Sequence, residues 1–321
     1  MLKRICTRKL IITSLTLVLL LIIYLIPTPG DDSDTLTNKS VHYSTDAKLQ
    51  EVFLLDDTSY VARTNIPIGD IKDIEEKCRY LIEVLTIDGK KDSIIPNGFT
   101  PIIPNGTEIL GLTYEDGIVK VNFSDTILTI NKELEEKMVE AITYTLTSIE
   151  EVKGVIIYVN GEILTRLPQS KTTLPSLLNR DFGINKTYDI HSSNDITSVV
   201  IYYLNKHNDD YYYVPVTSYT NDKREKIQII IDELAAGPTY ESNLMSFVNS
   251  NVRLLSYEEL DKELKLVFNT YILSDVDSKD ILEEVVYSIA LSIRDNYDVE
   301  SVSIYVDDEE IVKSVIKDIE N

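Results

Sequence analysis

The sequence predicts an α+β chain: two tandem ββαββαβ two-layer sandwich domains behind an N-terminal transmembrane helix. Three observations carry that expectation. An uncharged, largely apolar run of 17 residues, Leu10–Ile26, follows a basic N-terminus. Segments far apart in the chain repeat at a nearly constant offset. Within each copy, short period-2 segments bounded by turn residues alternate with apolar stripes at 3.6-residue spacing.

The N-terminal elements come first. Residues 1–9 form a basic tail carrying Lys3, Arg4, Arg8 and Lys9. Residues 10–26 read as the transmembrane anchor, closed by Pro27, Pro29 and Gly30 and then by Asp31, Asp32 and Asp34. A cleaved signal peptide competes with that reading, but no good A-x-A site follows the run. Cys6 precedes the run and Cys78 lies far beyond it, so neither is placed for lipidation. The positive-inside bias sets the N-terminus in the cytoplasm, predicting a single-pass protein of the cell membrane with extracytoplasmic domains. Residues 27–49 are the polar stalk, 50–165 the first domain, 166–197 a Pro-, Ser- and Thr-containing linker, and 198–315 the second domain.

The duplication is read directly from the residues. Val119–Leu128 matches Leu264–Leu273 at an offset of 145, Val152–Val159 matches Val299–Val306 at 147, and Val52–Leu54 matches Val200–Tyr202 at 148. Each copy begins with a hairpin, Glu51–Leu55 with Tyr60–Thr64 and Val199–Leu204 with Tyr211–Thr217. A helix follows, with Ile71, Ile74, Cys78, Leu81, Ile82 and Leu85 on one face in copy one. Ile227, Ile230, Ile231 and Leu234 form the counterpart, stopped by Gly237-Pro238. The second hairpin is Ile109–Tyr114 with Ile118–Phe123 around Glu115-Asp116-Gly117, and Val252–Tyr257 with Glu263–Phe268. The second helix carries Leu134, Met138, Ala141, Ile142, Leu146 and Ile149, or Leu282, Val285, Val286, Ile289, Ala290 and Ile293. Asn131 and Asp277 suit its N-caps. Gly154–Val159 and Ser301–Val306 close the copies. Two amphipathic helices need an apolar sheet face to cover, hence two layers.

Composition narrows the chemistry. Among 321 residues, 53 acids outnumber 31 basic residues, for a net charge of −22, which argues against nucleic acid as a partner. Two cysteines and three histidines exclude a disulfide framework or a Cys-rich zinc module and leave little for a His-based site. His207-Asn208-Asp209-Asp210 reads as a hairpin turn rather than a metal site. Asp275–Asp280 lacks the Gly and Glu of a calcium loop. Acid pairs such as Glu258-Glu259 and Glu309-Glu310 are expected in so acidic a chain, and no P-loop, GxSxG or HExxH occurs. Cys78 lies on an apolar helix face as a core residue. The expectation is no cofactor, no metal and no catalysis. Tyrosine stands out, 20 against 6 Phe and no Trp. Tyr202, Tyr203, Tyr211, Tyr212 and Tyr213 gather on one hairpin and form the candidate interaction surface, since Tyr is enriched in interfaces.

Several motifs together resemble the GerM domain of bacterial sporulation and spore germination proteins. They are Val214-Pro215-Val216, Leu234-Ala235-Ala236-Gly237-Pro238, Ile103-Pro104-Asn105-Gly106-Thr107-Glu108-Ile109-Leu110, Val121-Asn122-Phe123-Ser124 and Thr143–Ile149. The resemblance covers residues 50–160 and 199–310. It implies an extracytoplasmic module related to the ring-building motifs of secretion-system components, and it brings no catalytic residues. Copy one lacks the Gly-Pro helix stop, and copy two has Ser250-Asn251-Val252-Arg253 in place of the Pro-x-Gly-Thr turn. The functional expectation is a membrane-anchored structural or interaction protein that scaffolds an envelope complex in sporulation or germination. Its partners would be the membrane through residues 10–26 and other envelope or sporulation proteins or itself. The alternative is a module binding peptidoglycan or a small ligand of the cell envelope.

Overall fold

The computed structural model describes residues 48–239 and 242–315, all within one compact unit that begins at Ala47. Repeat one opens with β1 (Lys48–Asp56) and β2 (Val61–Ile68), an antiparallel hairpin. Helix α1 (Ile74–Val84) follows, with Asp73 as N-cap accepting the Glu76 N–H at 2.8 Å. The short β3 (Phe99–Thr100) returns to the outer edge of β1. Then come β4 (Ile109–Glu115) and β5 (Ile118–Phe123), joined by Asp116-Gly117 with both φ angles positive, 52° and 83°. That is the signature of a tight two-residue hairpin turn. Helix α2 (Glu135–Leu146) crosses to β6 (Gly154–Val159), which lies parallel to β5, and β7 (Glu162–Ile163) adds a last edge.

The connection between the repeats contributes β8 (Thr187–Asp189). Repeat two then copies the plan: β9 (Thr197–His207), β10 (Asp210–Thr220), α3 (Lys226–Ala236), β11 (Leu254–Leu260), β12 (Glu263–Phe268), α4 (Glu283–Arg294), β13 (Ser301–Val306) and β14 (Glu309–Val315). Gly237 stops α3 at φ 75°, a conformation that L side chains adopt with strain. Among the described residues these form four small sheets, ordered β2-β1-β3, β4-β5-β6-β7, β8-β10-β9 and β11-β12-β13-β14.

Alternation along β5 and β12 decides what the second helices cover. Val119, Val121 and Phe123 point inward under Met138, Ile142 and Leu146; Leu264, Leu266 and Phe268 point inward under Val285, Ile289 and Ile293. The first hairpins are different, because they are buried on both faces: Val52, Phe53 and Leu54 are all 0% exposed, as are Val199, Ile201, Tyr202 and Leu204. β2 lies against β10, and Ala62 of β2 belongs to the core of repeat two. The two repeats therefore share buried surface through their first hairpins.

The connecting segment is built into that arrangement. Leu167, Leu174, Leu178 and Ile184 enter the core of repeat one, while β8 pairs in parallel with β10. Sequence reasoning missed β3, β7, β8 and β14, all of them short or at sheet edges. It also placed helix starts too early. Asn131 precedes a 3-10 turn at Lys132–Leu134 without a capping side-chain hydrogen bond, and Asp277 lies in the turn before α4, whose N-cap is Leu282.

The membrane expectation is corrected. No helix among the described residues is long and apolar enough to cross a membrane. Residues 10–26, to which the anchor was assigned, lie outside the described residues, as do the tail 1–9 and most of the stalk. Single-pass anchoring accordingly takes no further part in the functional account.

Candidate functional site

Among the described residues, a linked set of ion pairs lies at the buried junction between the repeats. Glu51 sits on β1 between Gln50 and Val52, with a side chain 5% exposed. Arg63, diagonally across the hairpin on β2, brings Nε to 2.5 Å from Glu51 Oε2. From repeat two, Arg294 in the last turn of α4 straddles the same carboxylate, Nη1 to Oε2 at 2.9 Å and Nη2 to Oε1 at 3.1 Å. A cation there also suits the negative C-terminal end of the helix. Arg180, from the connecting segment, reaches both sides: Nη2 is 3.5 Å from Glu51 Oε1 and Nη1 is 2.6 Å from Asp295 Oδ1. Its guanidinium also lies 5.0 Å from the Tyr144 ring centroid. The Tyr202 hydroxyl donates to Asp295 Oδ2 at 2.8 Å. One ionic cluster thus ties β1, β2, the connection, β9 and α4 together.

Burial alone would raise the Glu51 carboxyl, but Arg294, Arg63 and Arg180 outweigh it and hold Glu51 well below the usual carboxylate range. The Tyr202 hydroxyl is pushed well above its ordinary value, first by burial and then by Asp295. Glu51 is thereby held ionised across the physiological range. In the cluster three guanidiniums face two carboxylates, and what they do together is tie the two repeats to each other.

Two further contacts extend the junction. Asp56, ending β1, accepts from Tyr212 Oη at 2.9 Å and from Asn205 Nδ2 at 3.0 Å, both in repeat two. Asn185, in the connection, is inserted between β2 and β10. Its Oδ1 accepts the Val61 N–H at 3.0 Å, and its Nδ2 donates to the Val61 and Pro215 carbonyls at 2.8 Å each. Pro215 has no N–H to offer, and here the side chain of Asn185 stands where a neighbouring strand would. The Asn185 N–H in turn donates to Glu140 Oε2 at 3.0 Å. Near the β9–β10 turn, His207 Nδ1 lies 3.0 Å from Asp57 Oδ2.

The five tyrosines of the β9–β10 hairpin separate by environment. Tyr202, Tyr203 and Tyr212 are 0%, 4% and 8% exposed, and Tyr213 is half-buried against Tyr287 with ring centroids 6.1 Å apart. Tyr211 alone is exposed, edge-on to Phe247 at 5.2 Å. The hydroxyls of Tyr202 and Tyr212 turn out to serve the junction itself. Sequence reasoning did not single out Glu51, Arg63, Arg180, Asn185, Arg294 or Asp295. The available signal was a charged residue inside an otherwise apolar strand, Glu51 before Val52-Phe53-Leu54-Leu55.

Elsewhere, Cys78 is fully buried and its thiol is pushed up to about 12, chiefly by burial. No group of three or more His, Cys, Asp or Glu placed to hold a metal occurs among the described residues. An open cleft of about 310 Å³ beside α1 is lined by Arg79, Glu83, Lys90 and Glu108 among others.

Comparison with known proteins places this geometry. The family model described as Germane, sporulation and spore germination, matches residues 51–165 and 200–312. The chain is 32% identical over 286 residues to the spore germination protein GerM of Bacillus subtilis strain 168, covering 87% of this chain and 76% of that protein. It also superposes on the solved tandem GerMN domains of the sporulation protein GerM from Bacillus subtilis with a TM-score of 0.76. That match has 29% identity and covers 83% of this chain and 93% of that one.

Proposed function

The chain belongs to the Germane family of sporulation and spore germination proteins, and from that premise we propose that it is a non-catalytic interaction protein acting in sporulation. In this reading the tandem repeats present their outer surfaces to an envelope partner as one rigid piece. The carrying observation is the Glu51–Arg63–Arg180–Arg294–Asp295 cluster, which takes members from both repeats and from the segment between them. A flexible tether would need no such cluster. Burying Glu51, Arg63 and Asp295 is expensive unless they fix a specific arrangement, and fixing arrangement is the best-attested use of buried polar groups. The two ββαββαβ units, each closed by a further edge strand, supply a two-layer scaffold on either side of the junction.

The test is genetic and structural together. In the native host, a strain lacking the chain is compared with strains carrying wild type or Glu51→Gln, and heat-resistant spores and their germination are counted. A deficit in the deletion strain, partly shared by Glu51→Gln, is expected. Normal spores and normal germination without the chain would overturn the proposal.

A second reading, recognition of a cell-wall glycan, has one specific observation in its favour. Tyr188, 66% exposed, stacks on Tyr219 with ring centroids 5.2 Å apart and planes at 13°. A flat, solvent-facing aromatic pair suits an apolar sugar face. Retention on purified peptidoglycan, lost in Tyr188→Ala, would favour it; no retention removes it.

A further inference from the structure

The duplicated domains differ at one sheet edge, and the difference exposes a strand. In repeat one, β4 is the edge of its sheet, yet α1 lies over it. Leu112 is 5% exposed there, and the outward Tyr114 N–H donates to Glu75 Oε1 of α1 at 2.9 Å. In repeat two the corresponding edge is β11, and α3 packs on β9 and α4 instead. Tyr257 and Glu259, which pair with Leu266 and Leu264 as Leu112 and Tyr114 pair with Val121 and Val119, are both exposed. Six of the seven residues of β11 are exposed, with Leu255 at 64%, Leu260 at 63% and Tyr257 at 38%.

The backbone of this edge can be assigned from its turn. Asp261 and Lys262 have φ of 49° and 66°, a two-residue hairpin turn that makes Leu260 and Glu263 a hydrogen-bonded pair. Alternation then turns the N–H and C=O of Tyr257 and Glu259 away from β12, towards solvent. A bulge at Leu255 ends the regular stretch, leaving Ser256–Leu260 as a five-residue template. Natural edges are guarded by charge, proline, bulges or cover; β11 has no proline or lysine, and its guard against other edges is the Leu255 bulge and the acids Glu258 and Glu259, one on each face.

We propose that β11 accepts an extended segment of a basic protein partner as an added strand. Strand addition supplies main-chain bonds at Tyr257 and Glu259, and side chains opposite supply selectivity. Residues facing Glu258 and Glu259 are Lys or Arg, and those facing Tyr257 and Leu260 are apolar, giving an apolar–basic–basic–apolar core. Self-pairing of β11 would set these carboxylates near one another and is disfavoured by like charge. This inference rests on the partner-binding reading above and names the surface and chemistry of that binding.

The experiment uses the full-length chain and a fluorescein-labelled peptide, Thr-Val-Lys-Lys-Val-Thr, followed by anisotropy. Saturable binding is expected, abolished when both lysines of the peptide are glutamate. Tyr257→Pro removes an outward N–H without removing a bond to β12, and should weaken binding by about tenfold or more. Should that variant fail to fold, the surface double variant Glu258→Lys/Glu259→Lys should lose the basic peptide and gain the acidic one. Absent binding by wild type, or equal binding by these variants, overturns the inference. So does a concentration-dependent dimer that Tyr257→Pro abolishes, which would assign the edge to a second copy. If edge variants bind the peptide like wild type while the deletion strain still sporulates poorly, the inference fails and the broader function stands.

Discussion

Replacing Glu51 by Gln keeps the side-chain shape and removes its charge. The wild-type carboxylate receives Arg63 at 2.5 Å and Arg294 at 2.9 and 3.1 Å, with Arg180 at 3.5 Å. In the variant an amide NH₂ faces guanidinium donors, and Arg63, 8% exposed, keeps its charge in a buried site. Breaking a buried pair in this way costs about 3–5 kcal/mol. Arg294 at 14% and Arg180 at 26% exposure reach some water, which favours the lower end, about 3 kcal/mol. Equilibrium unfolding in guanidinium chloride, followed by far-ultraviolet circular dichroism at pH 7, reads that difference. The pH dependence supplies a second readout. Folding lowers the Glu51 carboxyl below its ordinary value of 4.5. Its contribution is therefore complete above that pH and is lost as pH falls towards the depressed folded value. The gap between wild type and Glu51→Gln should be full at pH 7 and narrow steadily below pH 4.5. A gap under about 0.5 kcal/mol at pH 7, the size of an ordinary surface change, would refute the reasoning.

Other outcomes follow from single contacts. Asn185→Ala leaves the Val61 N–H and the Val61 and Pro215 carbonyls without their partner at the β2–β10 seam. It should destabilise by about 2–4 kcal/mol in the same unfolding assay, since each buried orphan costs about 1–3 kcal/mol and water recovers part. Tyr212→Phe removes the hydroxyl that donates to Asp56 at 2.9 Å and should cost about 1.5–3 kcal/mol, the usual value of a bond to a charged group. With Cys6 replaced by Ser, the Cys78 thiol, buried and pushed up to about 12, should stay unmodified by Ellman's reagent at pH 8 and react fully in denaturant.

The parts of the fold governed by local pattern were legible in the sequence. The near-constant offset announced the duplication, Asp116-Gly117 announced the β4–β5 turn, and Gly237 the end of α3. Strand β14 escaped because its turn is Asp307-Asp308, with φ of 49° and 63°, rather than a glycine turn, and because Glu309-Glu310 read as one more acid pair in an acidic chain. Tyr202 and Tyr203 were misleading for a tertiary reason. Alternation requires one face of a hairpin to look outward only if nothing covers it, and here both faces of β9 are covered. The junction cluster joins residues up to 243 positions apart, Glu51 with Arg294. No periodicity or motif encodes such a meeting; it follows from how two copies of one hairpin lie against each other. The exposed edge of β11 was equally hidden, since it depends on where α3 packs rather than on the composition of β11.

The central claim, that the two repeats form one rigid piece, is tested most directly by the distance between them. Nitroxide labels at exposed Thr113 on β4 and Ser256 on β11, in the Cys6→Ser chain, would be measured by double electron–electron resonance. A single narrow distance distribution is predicted, broadened in Glu51→Gln. A broad or multi-peaked distribution in the otherwise unaltered chain would contradict the account.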